Sequence, residues 1–141
     1  KYNYKVYLCP IGFAKGHEDL TALNRIYEYI DNENVVLFNS LNIWDIMGLI
    51  AHSRGFIGSS LHGCITAMSY CRPYIGLEVD KTTNYINDWG LGTDYCSDCR
   101  NFYSKFHNIL NCTSEMLKRN LDLQLSKSNE SFKIIRNIIN N

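Results

Sequence analysis

Val35-Val36-Leu37-Phe38 is apolar at every position, and so short and uniform a run reads as a strand buried on both faces. Strands of that kind belong to parallel sheets covered by helices, so this segment narrows the fold class more than any other. Three further strand candidates surround it. Tyr4–Cys9 is ended by Pro10 and Gly12, Gly55–Ser59 is short and mostly apolar, and Pro73–Glu78 holds its proline only at the start. A helical pattern follows each. From about Glu18 to Ile30, Leu20, Leu23, Tyr27 and Ile30 share one face, with Glu18 and Asp19 in the first turn suiting the helix dipole. Asn42 and Asp45 resemble a capping box ahead of Ile43, Ile46, Met47 and Ile50. Leu61, Cys64, Ile65 and Met68 recur at helical spacing over Leu61–Cys71, and a helix after Asp80 and Lys81 runs to about Trp89, stopped by Gly90 and Gly92. Alternation of this kind, at spacings suited to right-handed crossovers, predicts an α/β domain with a doubly wound, mostly parallel sheet.

Residues 93–112 show no clear pattern, and the α/β domain is expected to span 1–112. A helical extension over 113–141 is expected to pack on it, with Leu117, Leu121 and Leu125, a polar break near Ser126–Asn129, then Phe132, Ile135, Ile138 and Ile139. In such sheets ligands bind beyond the carboxyl ends of the strands, where the strand order reverses. An order 2-1-3-4 would bring the loop Gly12–His17, which carries Gly12, Lys15 and His17, to face the turn Ser59–Gly63 across one crevice. That turn combines two hydroxyls, an imidazole and backbone N–H groups at a helix start, a setting that suits a phosphate or carboxylate. Ser59 or Ser60 acting simply as the helix cap is the plainer reading, but capping gives no reason for His62.

The 141 residues suffice for one domain with a real core, and Lys+Arg balance Asp+Glu at 14 each. That balance argues against nucleic acid, which is bound through concentrated Lys and Arg. No apolar run reaches transmembrane length and no signal peptide is visible. The chain begins at Lys1 and reads as a piece of a longer protein. Cys9 lies in a strand pattern and Cys64 and Cys71 on an apolar helix, so the cysteines point to a reduced, cytoplasmic home, with a peripheral position at the inner membrane face left open. Cys96-Ser97-Asp98-Cys99 with His107 and Cys112 has a faint zinc look, but the spacing fits no common finger and no metal is expected. No GxGxxG follows any strand, and no cofactor is expected.

The stretch from Phe56 to Ile75, through Gly58-Ser59-Ser60-Leu61-His62-Gly63, Ala67 and Pro73, resembles the polysaccharide pyruvyltransferase family. Pro10, Gly12, Lys15, the Asp45–Ser53 helix and Lys81 ahead of a tyrosine and tryptophan share the likeness, which covers roughly Tyr4 to Trp89. The resemblance implies a Rossmann-like fold corresponding to the C-terminal, donor-binding half of a GT-B-type protein, whose N-terminal acceptor-binding domain would be the partner. It implies transfer of the enolpyruvyl unit of phosphoenolpyruvate to a sugar hydroxyl of a surface or exopolysaccharide, giving a pyruvate ketal and phosphate. Many members carry Arg directly before Leu-His; this chain has Ser60.

Under that resemblance His62 is the acid/base or phosphate-contacting group, because histidine titrates near neutrality. Ser59, Ser60 and the N–H groups of Leu61 and Gly63 hold the donor's anionic groups, and Gly63 admits the ligand close to the backbone. Lys81 neutralises phosphate, Glu78 accepts from a sugar, and Lys15 and His17 approach from the facing loop. Tyr85 and Trp89 offer a stacking surface for a sugar or, more plainly, a helix–sheet contact. Two other readings stand beside this one: a nucleotide-sugar-binding domain of a GT-B glycosyltransferase, and a noncatalytic binding module in which Ser60 marks a decayed site.

Overall fold

The computed structural model describes residues 3–12, 16, 19–40, 42–77, 79–98 and 100–140, which form two compact units, Lys1–Leu49 and Ile50–Asn141. The architecture is α/β with parallel strands throughout. The strands form a two-stranded ladder and a three-stranded ladder.

In the first unit β1 (Val6–Leu8) pairs with β2 (Val35–Leu37), Val6 opposite Val35 and Leu8 opposite Leu37. The β2 residues are half-buried rather than enclosed on both faces, because a two-stranded ladder with one helix beside it offers little cover. That helix, α1 (Asp19–Tyr29), buries no residue fully; Tyr27 and Ile30, expected on its inner face, are exposed. Its first residue organises the preceding loop. Asp19 Oδ2 accepts from the N–H of Ile11 at 3.0 Å and of Gly12 at 2.7 Å, and its own N–H donates back to the Gly12 carbonyl.

The boundary between units falls within α2 (Ile43–His52). Its start is a relayed version of the expected capping box. Asn42 Oδ1 accepts from the Trp44 N–H at 2.9 Å, while Asp45 receives the Ser40 hydroxyl and Ser40 Oγ accepts the Asn42 N–H.

The second unit is built on β3 (Phe56–Gly58), β4 (Tyr74–Leu77) and β5 (Cys96–Ser97) in that spatial order, all parallel. Right-handed crossovers between neighbours advancing in one direction place α3 (Leu61–Ser69) and α4 (Asp80–Trp89) on the same face. Cys64, Ala67, Tyr74 and Ile86 are wholly buried on the helix side of this sheet, and Ile75 is wholly buried on β4. The α4 helix comes close to β4 because Gly76 has no side chain: a Cβ there would overlap Ile86 Cδ1 and lie 2.9 Å from Thr82 Cγ2. Tyr74 reaches past the end of α4, where its hydroxyl accepts the Leu91 N–H at 2.7 Å. After β5, α5 (Phe102–Asn111) packs on β4 and β5, with Ile109 lying where a Cβ on Gly55 would point.

The α3 helix stops two residues before the expected Cys71. Cys71 takes φ 51°, and the Arg72 N–H bonds Ala67 O at 2.8 Å while the Cys71 N–H bonds Met68 O at 3.0 Å. This is a Schellman stop with cysteine in the left-handed position that glycine usually fills, and Pro73 follows it. The C-terminal extension is one continuous helix, α6 (Ser114–Ile139), without the expected break. Serine and asparagine lower helix propensity only modestly, whereas a break needs Gly or Pro, and neither is present. Lys127 is held at the middle of α6 by donation to Asp88 O at 2.9 Å and by the Trp89 ring, 5.3 Å from its Nζ. Nearer the start of α6, Asn120 and Gln124 both donate to Trp89 O. Among the described residues no helix is long and apolar enough to cross a membrane.

Candidate functional site

Parallel pairing sends the carboxyl ends of β3, β4 and β5 to one edge of the second unit, and three loops leave the sheet there. The first is the turn into α3. Ser60 is its N-cap, with φ −73° and ψ 118°, and its Oγ accepts the Gly63 N–H at 3.3 Å. Ser60 O accepts the Cys64 N–H at 3.1 Å. The N–H groups of Leu61 and His62 make no hydrogen bond among the described residues and open at the positive end of the helix. The plainer expectation for Ser60 therefore holds, and it engages the Gly63 N–H. The space beside the Gly63 Cα is occupied by Phe56, whose ring a Cβ would overlap, and the same ring lies 2.8 Å from a Cβ on Gly58. His62 is exposed, and its carbonyl accepts the Thr66 hydroxyl at 2.8 Å.

The second loop leads into α4. Thr82, wholly buried, donates its hydroxyl to Ser59 O at 2.9 Å, which ties the first turn of α4 to the turn after β3. Lys81 is the neighbour of Thr82 on that first turn and is exposed. The α4 N-cap, Val79, unlike Ser60, has no side-chain oxygen to cap its helix, and Asp80 places a negative charge in the first turn.

The third loop, after β5, was not recognised from the sequence. Asp98 Oδ1 accepts the N–H of Asn101 at 2.8 Å and of Arg100 at 2.9 Å, and Asn101 Oδ1 accepts the Asp98 N–H and the Ser97 hydroxyl. The Asn101 N–H, followed by the Arg100 N–H and the Arg100 guanidinium, holds the Asp98 carboxyl below the usual carboxylate range. Thr83, Cys96, Ser97, Asp98 and Asn101 line a cavity of about 150 Å³ beside these strand ends. A Ser-Asp pair three residues ahead of an asparagine was the available signal, a local turn in which side chains stand in for backbone acceptors. Because the Asp98 pKa is lowered on folding, its ionised form adds stability above the unfolded value, and that contribution disappears as pH falls through the folded one. Asp98→Ala is therefore expected to lower the urea midpoint more at about pH 7 than at about pH 3. An equal loss at both values would show that the carboxylate charge is not what holds this loop.

Burial raises the Cys64 thiol to about 12 and also raises Cys96, so neither is an activated nucleophile. Tyr85 and Trp89 stack on each other, centroids 6.1 Å apart, and Lys127 lies over the Trp89 ring. Tyr85 thus has an aromatic neighbour on its own helix, and Trp89 has neighbours on both α4 and α6. Gly12 belongs to the first unit, where its N–H is held by Asp19. Lys15, His17 and Glu78 lie outside the described residues, as does Cys99. The Thr82–Ser59 bond joins the turn Ser59–Gly63 to the first turn of α4, which carries Lys81; the turn itself presents hydroxyls, backbone N–H groups and an exposed imidazole, groups able to donate to a small anion.

No curated protein and no solved structure matches the chain. A family model described as polysaccharide pyruvyl transferase matches residues 1–81. The match runs from before β1 to the first turn of α4, and so contains the whole turn from Ser59 to Gly63 as well as Lys81. Covering more than half of the 141 residues, it settles the family. This chain belongs to the polysaccharide pyruvyl transferases.

Proposed function

We propose that the chain is the donor-binding part of an enzyme that transfers pyruvate, as a ketal, from phosphoenolpyruvate to a sugar of a surface polysaccharide. The observation that supports this most directly is the open start of α3, where the Leu61 and His62 N–H groups and the His62 side chain stand at the carboxyl end of β3. The family match over residues 1–81 contains it. Ketal formation requires a proton at the methylene carbon of the enol, attack of a sugar hydroxyl on the central carbon, and departure of phosphate. A second hydroxyl of the sugar then closes the ketal, and both hydroxyls lose their protons. In this reading His62 carries a proton to or from the reacting atoms. The N–H groups of Leu61 and His62, the hydroxyls of Ser59 and Ser60, and Lys81 stabilise the anionic groups of the donor.

The hydroxyl of Ser60 can serve both purposes, since its oxygen accepts the Gly63 N–H while its proton remains able to donate. Without a guanidinium before Leu61 the turn carries no permanent charge, and in this reading the exposed Lys81 supplies the cation. In this reading an N-terminal domain of the parent protein binds the glycan acceptor, and the chain alone folds but turns over little. A cytoplasmic setting belongs to the same reading.

The test is an NMR titration of this chain with phosphoenolpyruvate, CMP and UDP, repeated on His62→Ala. Saturable shifts with phosphoenolpyruvate centred on Ser59–Gly63, and lost in the variant, are expected. Shifts with a nucleotide alone would replace pyruvyl transfer by glycosyl transfer. The absence of any response would count against a donor site formed by this chain.

A further inference from the structure

The α6 helix meets the rest of its unit along one stripe: Leu117 and Asn120 are buried, and Leu121, Gln124 and Ser128 are half-buried. Continued at about 3.6 residues per turn, the stripe passes through Phe132, Ile135 and Ile139, which are 67%, 51% and 76% exposed. The cover ends and the apolar residues do not. From Leu121 through Leu125, Ser128, Phe132 and Ile135 to Ile139 the spacing alternates four, three, four, three, four, the seam of a coiled coil, while Lys127, Glu130 and Lys133 fall outside it.

We propose that a second copy of this chain covers the seam, its α6 lying antiparallel across a two-fold axis beside Glu130. The sequence is self-complementary in that register. Ser128, the one small residue of the seam, falls opposite the bulky Phe132 of the second copy, and Leu125 falls opposite its Ile135. Ile139 reaches the half-buried Leu121 of the second copy. Asp122, beside the seam and exposed, comes next to Arg136 of the second copy, also exposed, and two-fold symmetry repeats the pair. A parallel pairing loses these matches: Ser128 meets Ser128, and Asp122 stays about 21 Å along the helix from Arg136, fourteen residues at about 1.5 Å each. The pairing is independent of what the turn after β3 binds.

Sedimentation velocity of the chain, from about 5 to about 300 µM, is expected to show a monomer–dimer equilibrium. Ile135→Glu, at a half-exposed helical position, is expected to abolish the dimer while circular dichroism shows unchanged helix content. Asp122→Arg and Arg136→Asp are each expected to weaken association about tenfold, and the double exchange to restore it, because only the antiparallel register brings these residues together. A monomer at the highest concentration would overturn the proposal and leave the seam to a different protein. A dimer indifferent to Ile135→Glu, or charge exchanges that add instead of compensating, would overturn it equally.

Discussion

Gly76→Ala is expected to destabilise the chain by about 3 kcal/mol, the upper end of the usual cost of overpacking. The added methyl would overlap Ile86 Cδ1 and press on Thr82 Cγ2 at 2.9 Å, and both side chains are wholly buried, so neither has room to swing aside. The α4 helix would have to back away from β4. Its displacement would also stretch the bond from the Thr82 hydroxyl to Ser59 O. Urea unfolding followed by fluorescence measures the effect, and the same transition followed at the amide signals of Ser59–Gly63 reports whether the turn loosens with it. A loss below about 1 kcal/mol would mean that α4 is seated less tightly than described.

If the proposed pyruvyl transfer holds, His62→Ala in the full-length protein is expected to lower kcat by a factor of about 10² to 10⁴, the usual contribution of a positioned acid or base. The side chain is exposed, so the variant should keep its stability within about 0.5 kcal/mol. Phosphate release from phosphoenolpyruvate in the presence of a glycan acceptor follows the reaction. A kcat within a few-fold of the parent would remove His62 from the chemistry and leave it a surface residue of α3.

The alternation of apolar runs and helical stretches was legible because each of the first three strands is followed by a helix whose apolar spacing repeats over about two turns, and the fourth by a stretch stopped at Gly90 and Gly92. The strand β5 was not, since Cys96–Ser97 is too short to show a two-residue period. With β5 unseen, the Asp98 turn and the cavity beside it had no place in the fold. Val35–Leu37 misled in another way: an apolar composition predicts burial, but burial depends on how much structure surrounds the strand. At the site, Ser60 as helix cap could be read from its position alone. What lies against the Gly63 Cα could not, because Phe56 is seven positions away and on the preceding strand.

That ring has a wider implication. Phe56 lies where side chains on Gly58 and Gly63 would point, so the turn between them is shaped from within the protein. An incoming anion would meet donors already in position and would lose little freedom in ordering them. Two glycines flanking a binding turn would usually be ascribed to the ligand. Here they answer first to an aromatic neighbour, and a change at Phe56 would alter which residues the turn tolerates.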